Sequence, residues 1–166
     1  MVDVPVTQAD LDRVATPLVD RFWSLHRPGQ PRVDRHNGGA LLRSFLDAKR
    51  TTVGPFWAML SAWAPRRIAF APELPLEELR ERFPFAKIYG LDDALTVLTL
   101  HELGHYASGH SHKEGMSVAQ RFRIEAEADA LAAAWLRDGM TPENVPVNPE
   151  PLCRCIFCKP KRRRAA

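Results

Sequence analysis

Apolar residues recur at helical spacing in several stretches of this chain and crowd without gaps in another. Leu11, Val14, Leu18 and Phe22 fall three or four apart, so the spacing predicts an amphipathic helix that begins at Thr7. Pro17 should kink or restart it behind Thr16, and Pro28-Gly29 should end it. Gly38-Gly39 reads as a turn, followed by a helix from Ala40 to Lys49 with Leu41, Leu42, Phe45 and Leu46 inward. Pro55 suits the first turn of a further helix running to about Trp63. Its Phe56, Trp57, Met59, Leu60 and Trp63 leave it apolar nearly all round, which fits a buried core or a substrate wall. Arg67-Ile68-Ala69-Phe70 predicts a short strand, Leu76 to Arg82 a short helix, and Ala86-Lys87-Ile88-Tyr89 a second strand, with Gly90 after it.

Two longer helices come next. Leu91, Ala94, Leu95 and Leu98 open a periodic run, with Asp92-Asp93 suited to the positive end of a helix dipole. No Pro interrupts the chain from Asp92 to His110. Gly104 lies inside this helix at a cost of about 1 kcal/mol against Ala, so a neighbouring helix or a site should approach its backbone. Ser117-Val118-Ala119-Gln120 reads as a capping box, opening a helix that runs to Arg137 and stops at Gly139 and Pro142. The elements together predict a mainly α domain (α+β) with a small β element beside the helix of residues 92 to 110.

Chemistry enters at Leu100-His101-Glu102-Leu103-Gly104-His105-Tyr106, which carries the pattern H-E-x-x-H. On a helix, His101 and His105 leave one face about a turn apart, close enough to share a tetrahedral zinc ion. Glu102 is placed to take a proton from a metal-bound water rather than to bind the metal. A catalytic zinc site wants a third protein ligand and an open fourth position. Glu125 is the candidate third ligand, on the helix behind Ser117. Asp129, four residues later on the same face, is the candidate partner for the far ring nitrogen of a ligand histidine. Two other arrangements do not fit. A metzincin would need Gly and His where this chain has Ser108 and Ser111, and His110 falls one position too early. A closed structural site would need four ligands, mostly Cys and His, and the three cysteines are distant in sequence.

H-E-L-G-H followed by a helix bearing E-x-E-A-D-x-x-A resembles the gluzincin metallopeptidases, and is most similar to the small ImmA/IrrE-type enzymes of bacteria, phages and mobile elements. The resemblance covers about residues 92 to 137. It implies a zincin-like domain, Zn2+ as cofactor, Glu125 as the third ligand, and no metal role for Glu127. Asp129 matches the family's acidic or amide position four residues on. The chain carries Ala130-Leu131 where the family usually carries a Phe. The resemblance further implies cleavage of a specific protein substrate, such as a transcriptional repressor. It also implies an edge strand beside the cleft that pairs with extended peptide.

Composition bounds the rest. At 166 residues, 45% hydrophobic and 26% charged, the chain has room for one ordinary globular domain, assigned to residues 1–140. The net charge of +3 is too small to imply nucleic-acid binding by itself. No signal peptide is visible, and the longest apolar stretch, Val53 to Ala64, is too short to span a bilayer. Three cysteines, an odd number, argue against a disulfide framework, and a cytoplasmic protein is expected, in the host cytoplasm if phage-encoded. Residues 141–166 change character. Five prolines, Cys153, Cys155 and Cys158, and the basic run Lys159 to Arg164 form a Pro/Cys-rich basic tail. Such a tail suits free thiols, a metal site lacking its fourth ligand, or contact with nucleic acid or an acidic partner. A rival reading therefore stands beside the peptidase: a non-catalytic zinc-stabilised module that binds a protein or nucleic acid through this tail. The presence of Glu102 weighs against it, because a structural site has no use for a base there.

Overall fold

The computed structural model describes residues 3–26, 43–46, 57–60, 67–108, 110 and 115–139. The tail of residues 141–166 with its three cysteines, the Gly38-Gly39 turn, His36 and His112 lie outside the described residues. The element order is β1 (Val4–Pro5), α1 (Gln8–Arg13), α2 (Ala15–His26), β2 (Arg43–Leu46), β3 (Ala58–Leu60), β4 (Arg67–Phe70), β5 (Glu73–Leu74), α3 (Leu76–Arg82), α4 (Leu91–Ser108) and α5 (Val118–Arg137). The described chain is mostly helical, with two small sheets.

Helix α4 is the axis of the fold. Every residue from Ala94 to Ala107 is buried, so the helix has no solvent face over most of its length. A helix buried all round must be enclosed by other elements. α5 packs along it, α2 and α3 touch it from other sides, and β3 lies against it. The Leu11, Val14, Leu18 and Phe22 stripe enters this core, each residue no more than 3% exposed. Phe22 of α2 stands edge-on to Tyr106 of α4 and to Trp135 of α5, with ring centroids 6.0 and 5.8 Å away, and ties the three helices together.

The helix starts reflect local chemistry. The Thr7 side chain accepts from the backbone N–H of Asp10, whose carboxylate accepts in return from the N–H of Thr7. Ser117 and Gln120 make the same reciprocal pair at the start of α5. Each pair satisfies two donors that a helix terminus leaves without partners. The break between α1 and α2 falls at Val14, so Pro17 lies in the first turn of α2, where a missing N–H costs nothing. α5 ends at Arg137, and Gly139 comes just after it with a positive φ of 79°.

The sheets depart from the sequence expectation. The helix expected over Ala40–Lys49 is replaced, where the chain is described, by strand β2, and the one expected from Pro55 to about Trp63 by strand β3. Both pair with β4, which sits between them, parallel to β2 and antiparallel to β3. A short apolar run has no periodicity that separates strand from helix, and pairing with β4 decides it from outside the segment. Val4–Pro5 pairs with Glu73–Leu74 in a second, two-stranded antiparallel ladder. The strand expected at Ala86–Tyr89 does not form. Its backbone is engaged elsewhere: the Ile88 carbonyl accepts from Arg80 Nε at 2.7 Å, and the N–H groups of Tyr89 and Gly90 donate to the Asp93 carboxylate. No helix among the described residues is long and apolar enough to cross a membrane.

Helices α4 and α5 approach each other to backbone contact. A Cβ added at Gly104 would stand 2.9 Å from the backbone oxygen of Ala128 and 3.0 Å from its Cα. The approach that a mid-helix glycine predicted is that of the α5 backbone itself. Only a residue without a side chain allows the two helices to run this close.

Candidate metal centre

Close contact of α4 and α5 brings three donor groups to one place. Nε2 of His101 lies 3.1 Å from Nε2 of His105 and 3.2 Å from Oε2 of Glu125, and Oε1 of Glu125 lies 3.4 Å from Nε2 of His105. Ligands about 2.0–2.1 Å from a tetrahedral ion are roughly 3.3 Å from one another, and each of these separations is close to that, with one Glu125 oxygen facing each histidine. These residues are the group of potential metal ligands among the described residues, both histidines buried and Glu125 partly so. The fit is chemical as well as metric. Two imidazole nitrogens and a carboxylate aimed at one point repel each other unless something positive stands between them.

The protonation of the clustered side chains reflects the same field. Burial pushes the His101 imidazole down, but hydrogen bonds to Asp129 and Glu125, with the charge of Glu102 adding to them, outweigh it and raise the pKa from 6.5 to about 9. Glu125 responds the other way. Burial would raise it, and its contacts with His101 and His105 hold it far below the ordinary carboxylate range. A proton on His101 thus occupies the electrostatic position that a cation would take.

Each histidine is held from behind. Asp129 Oδ1 lies 2.9 Å from His101 Nδ1, where sequence spacing put it. Asp129 Oδ2 accepts from Arg82 at the end of α3 at 2.6 Å, and the same guanidinium stands 3.6 Å from Glu125 Oε2. Despite burial, His101 and Arg82 together keep the Asp129 carboxyl below its ordinary value. Phe83 closes this side, its ring edge-on to His101 at 5.5 Å. The other histidine has a different support. His105 Nδ1 lies 3.0 Å from His110 Nδ1, and His110 Nε2 lies 2.8 Å from Glu127 Oε2. Arg123 Nε donates to the second oxygen of Glu127 at 2.9 Å.

Sequence spacing does not reveal three residues of this assembly in these roles: Arg82, His110 and Glu127. Arg82 gives no local signal, because it meets the site through α3. Glu127 lies two residues from both Glu125 and Asp129, about 200° round the helix, so a same-face argument passes over it. It reaches the site only because His110 stands between. The signal available was a further histidine shortly after H-E-x-x-H together with the middle acid of E-x-E-A-D. Glu102, buried at 6% exposure, sits on α4 next to His101. Of the three residues near enough in sequence to stabilise an oxyanion, Tyr106 has its ring in the core against Phe22, His110 has both ring nitrogens engaged, and His112 is outside the described residues.

No family model, curated protein or solved structure matches this chain. Any reading of the centre therefore stands on its own geometry and on the motif.

Proposed function

We propose that this chain is a zinc-dependent peptidase of the gluzincin kind, with His101, His105 and Glu125 holding the ion and Glu102 serving as the base. The observation that carries the reading is the convergence of His101, His105 and Glu125, with donor atoms 3.1–3.4 Å apart across each pair and a buried carboxylate next in sequence to the first of them. An ion held there supplies Lewis acidity to a scissile carbonyl and lowers the pKa of water. The chain's own residues do the rest. Glu102 takes the proton of the attacking water on its carboxylate and delivers it to the departing amine nitrogen. Asp129 fixes the His101 ring with its Nδ1–H turned outward and its Nε2 lone pair turned into the site. Burial of both histidines limits the bulk water that would weaken these interactions.

An extended polypeptide suits the surroundings. Among the described residues β3 stands at the edge of its sheet and packs against α4, so a substrate segment paired with it would run alongside the helix that carries His101 and His105. The resemblance to ImmA/IrrE-type enzymes makes a specific protein, such as a repressor, the favoured substrate. The test is Glu102→Gln in the full chain, assayed on a library of unstructured peptides. The expected result is unchanged zinc content and melting temperature with hydrolysis abolished. Hydrolysis at the wild-type rate would remove Glu102 from the mechanism. A wild-type protein that binds zinc and cleaves nothing would favour the non-catalytic module instead.

A further inference from the structure

His110 and Glu127 are unassigned by the motif, yet both are built into the centre. His110 meets His105 twice. Its backbone N–H donates to the His105 carbonyl at 3.0 Å, closing the end of α4, and its ring faces the His105 ring with Nδ1 atoms 3.0 Å apart. The His110 side chain is only 8% exposed. A buried imidazole held by backbone and side chain against a candidate ligand is not a surface histidine.

Proton accounting gives the arrangement its meaning. For His105 Nε2 to offer a lone pair to an ion, the single proton of the neutral ring must sit on Nδ1. That N–H needs an acceptor, and the atom in front of it is His110 Nδ1. His110 must then carry its own proton on Nε2, where Glu127 Oε2 accepts it at 2.8 Å. Arg123 holds the second Glu127 oxygen. Every donor along the chain meets one acceptor, and the order is forced from one end by the acceptor-only carboxylate of Glu127 and from the other by the ion. The reverse order would leave a lone pair facing a lone pair at Glu127.

We propose that His110 and Glu127 are positioning residues for the metal: Glu127 selects the tautomer of His110, and His110 selects the tautomer and ring angle of His105. The inference rests on the metal-centre reading, though not on peptidase activity. It gives the centre two unlike supports, a carboxylate behind His101 and a carboxylate-backed imidazole behind His105.

The test is zinc affinity, measured by competition with a chelating dye on the full chain, with the visible absorption of the cobalt(II)-substituted protein as a fingerprint of ligand geometry. His110→Phe keeps a ring and removes the acceptor. It should weaken zinc binding by about 10–100-fold and alter the cobalt spectrum. His110→Asn offers an amide oxygen near the position of the lost Nδ1 and should recover most of that affinity and the wild-type spectrum. Glu127→Ala leaves His110 in place but frees its tautomer, and should weaken binding less than His110→Phe. It also serves where His110→Phe does not fold. Wild-type affinity and spectrum in both His110→Phe and Glu127→Ala would overturn the proposal, as would an Asn variant no better than Phe. Failure of the wild-type chain to take up zinc would be a different outcome, overturning the metal centre itself and this inference with it.

Discussion

Both ends of α4 carry ionisable side chains and put them to different uses. At the amino end, Asp92 is gripped by both terminal nitrogens of Arg13, and Asp93 accepts from the N–H groups of Tyr89 and Gly90. These groups are spread out and face water, with the Arg13 and Asp92 side chains both more than half exposed. Each carboxylate meets a donor, and the helix end is satisfied. At the other end, His101, Glu102 and His105 are buried, and Glu125 is brought against the two histidines from α5. There the polar groups converge on one point, and a proton on His101 together with the Arg82 guanidinium offsets the carboxylates. Polar groups in water stabilise a terminus by a little, whereas polar groups gathered under cover form a cluster that could hold an ion.

The sharpest way to break this contrast is to remove the residue that α5 contributes. Glu125→Ala should lower zinc affinity by more than roughly 100-fold, beyond the range for supporting residues, and should also lower the melting temperature of the metal-free protein near neutral pH, because its contacts with His101 and His105 are lost. Dye competition and thermal unfolding of the same samples would show it. Affinity equal to wild type would take Glu125 out of the centre.

A smaller effect should appear with pH. His101 titrates near 9 in the metal-free fold, raised from 6.5, and an ion binds only its neutral form. Zinc binding near pH 7 should therefore release close to one proton from His101, which calorimetry in buffers of different ionisation enthalpy would measure. The sign for stability runs opposite to that for binding. A raised imidazole pKa contributes folding stability that is complete below about 6.5 and disappears as pH rises through about 9. The lowered carboxyls of Glu125 and Asp129 contribute stability above their ordinary range, lost as pH falls through their lowered values. The metal-free protein should thus be most stable in weak acid and weaken toward pH 9, and bound zinc should flatten the alkaline side. A metal-free melting temperature that climbs from pH 6.5 to 9 would contradict this charge balance.

The amino end should respond least. Hydrogen bonds from Arg13 lower the Asp92 carboxyl against a smaller opposing effect of burial, and the pair is open to solvent. Arg13→Ala should shift the melting temperature by no more than about 3 °C, shrink further in high salt, and leave zinc affinity unchanged. A loss of zinc affinity in this variant would mean that the two ends are coupled through the helix.

How much could be read from the sequence depends on range. The bounds of α3 and α5, the Thr7 and Ser117 starts, and the buried stripe from Leu11 to Phe22 depend on neighbours within a turn or two, and all of these match. The meeting of His101, His105, Glu125 and Asp129 was legible because spacing along two helices limits which side chains can meet. β2 and β3 were not legible, since their partner β4 is distant in the chain and nothing inside Arg43–Leu46 or Ala58–Leu60 announces it. Ala86–Tyr89 misled for the converse reason: its residues suit a strand, but Arg80 and Asp93 take the backbone groups a strand would use. Arg82 and the His110–Glu127 pair escaped because each acts through an intermediary rather than through a helical repeat.

The contact of Gly104 with Ala128 sets the tolerance of the whole assembly. Gly104 lies between the candidate ligands His101 and His105 in sequence, and Ala128 lies between Glu125 and Asp129. The point at which the helices touch thus falls within the same turns that carry His101, His105, Glu125 and Asp129. A methyl group there would meet backbone at 2.9 Å, and backbone yields only by moving a whole helix. Metal–ligand bonds accept errors of about 0.2 Å, less than the displacement needed to relieve such an overlap. The one hydrogen that glycine carries in place of a side chain acts as the gauge block of the site, fixing the gap across which two helices must deliver atoms to a common point.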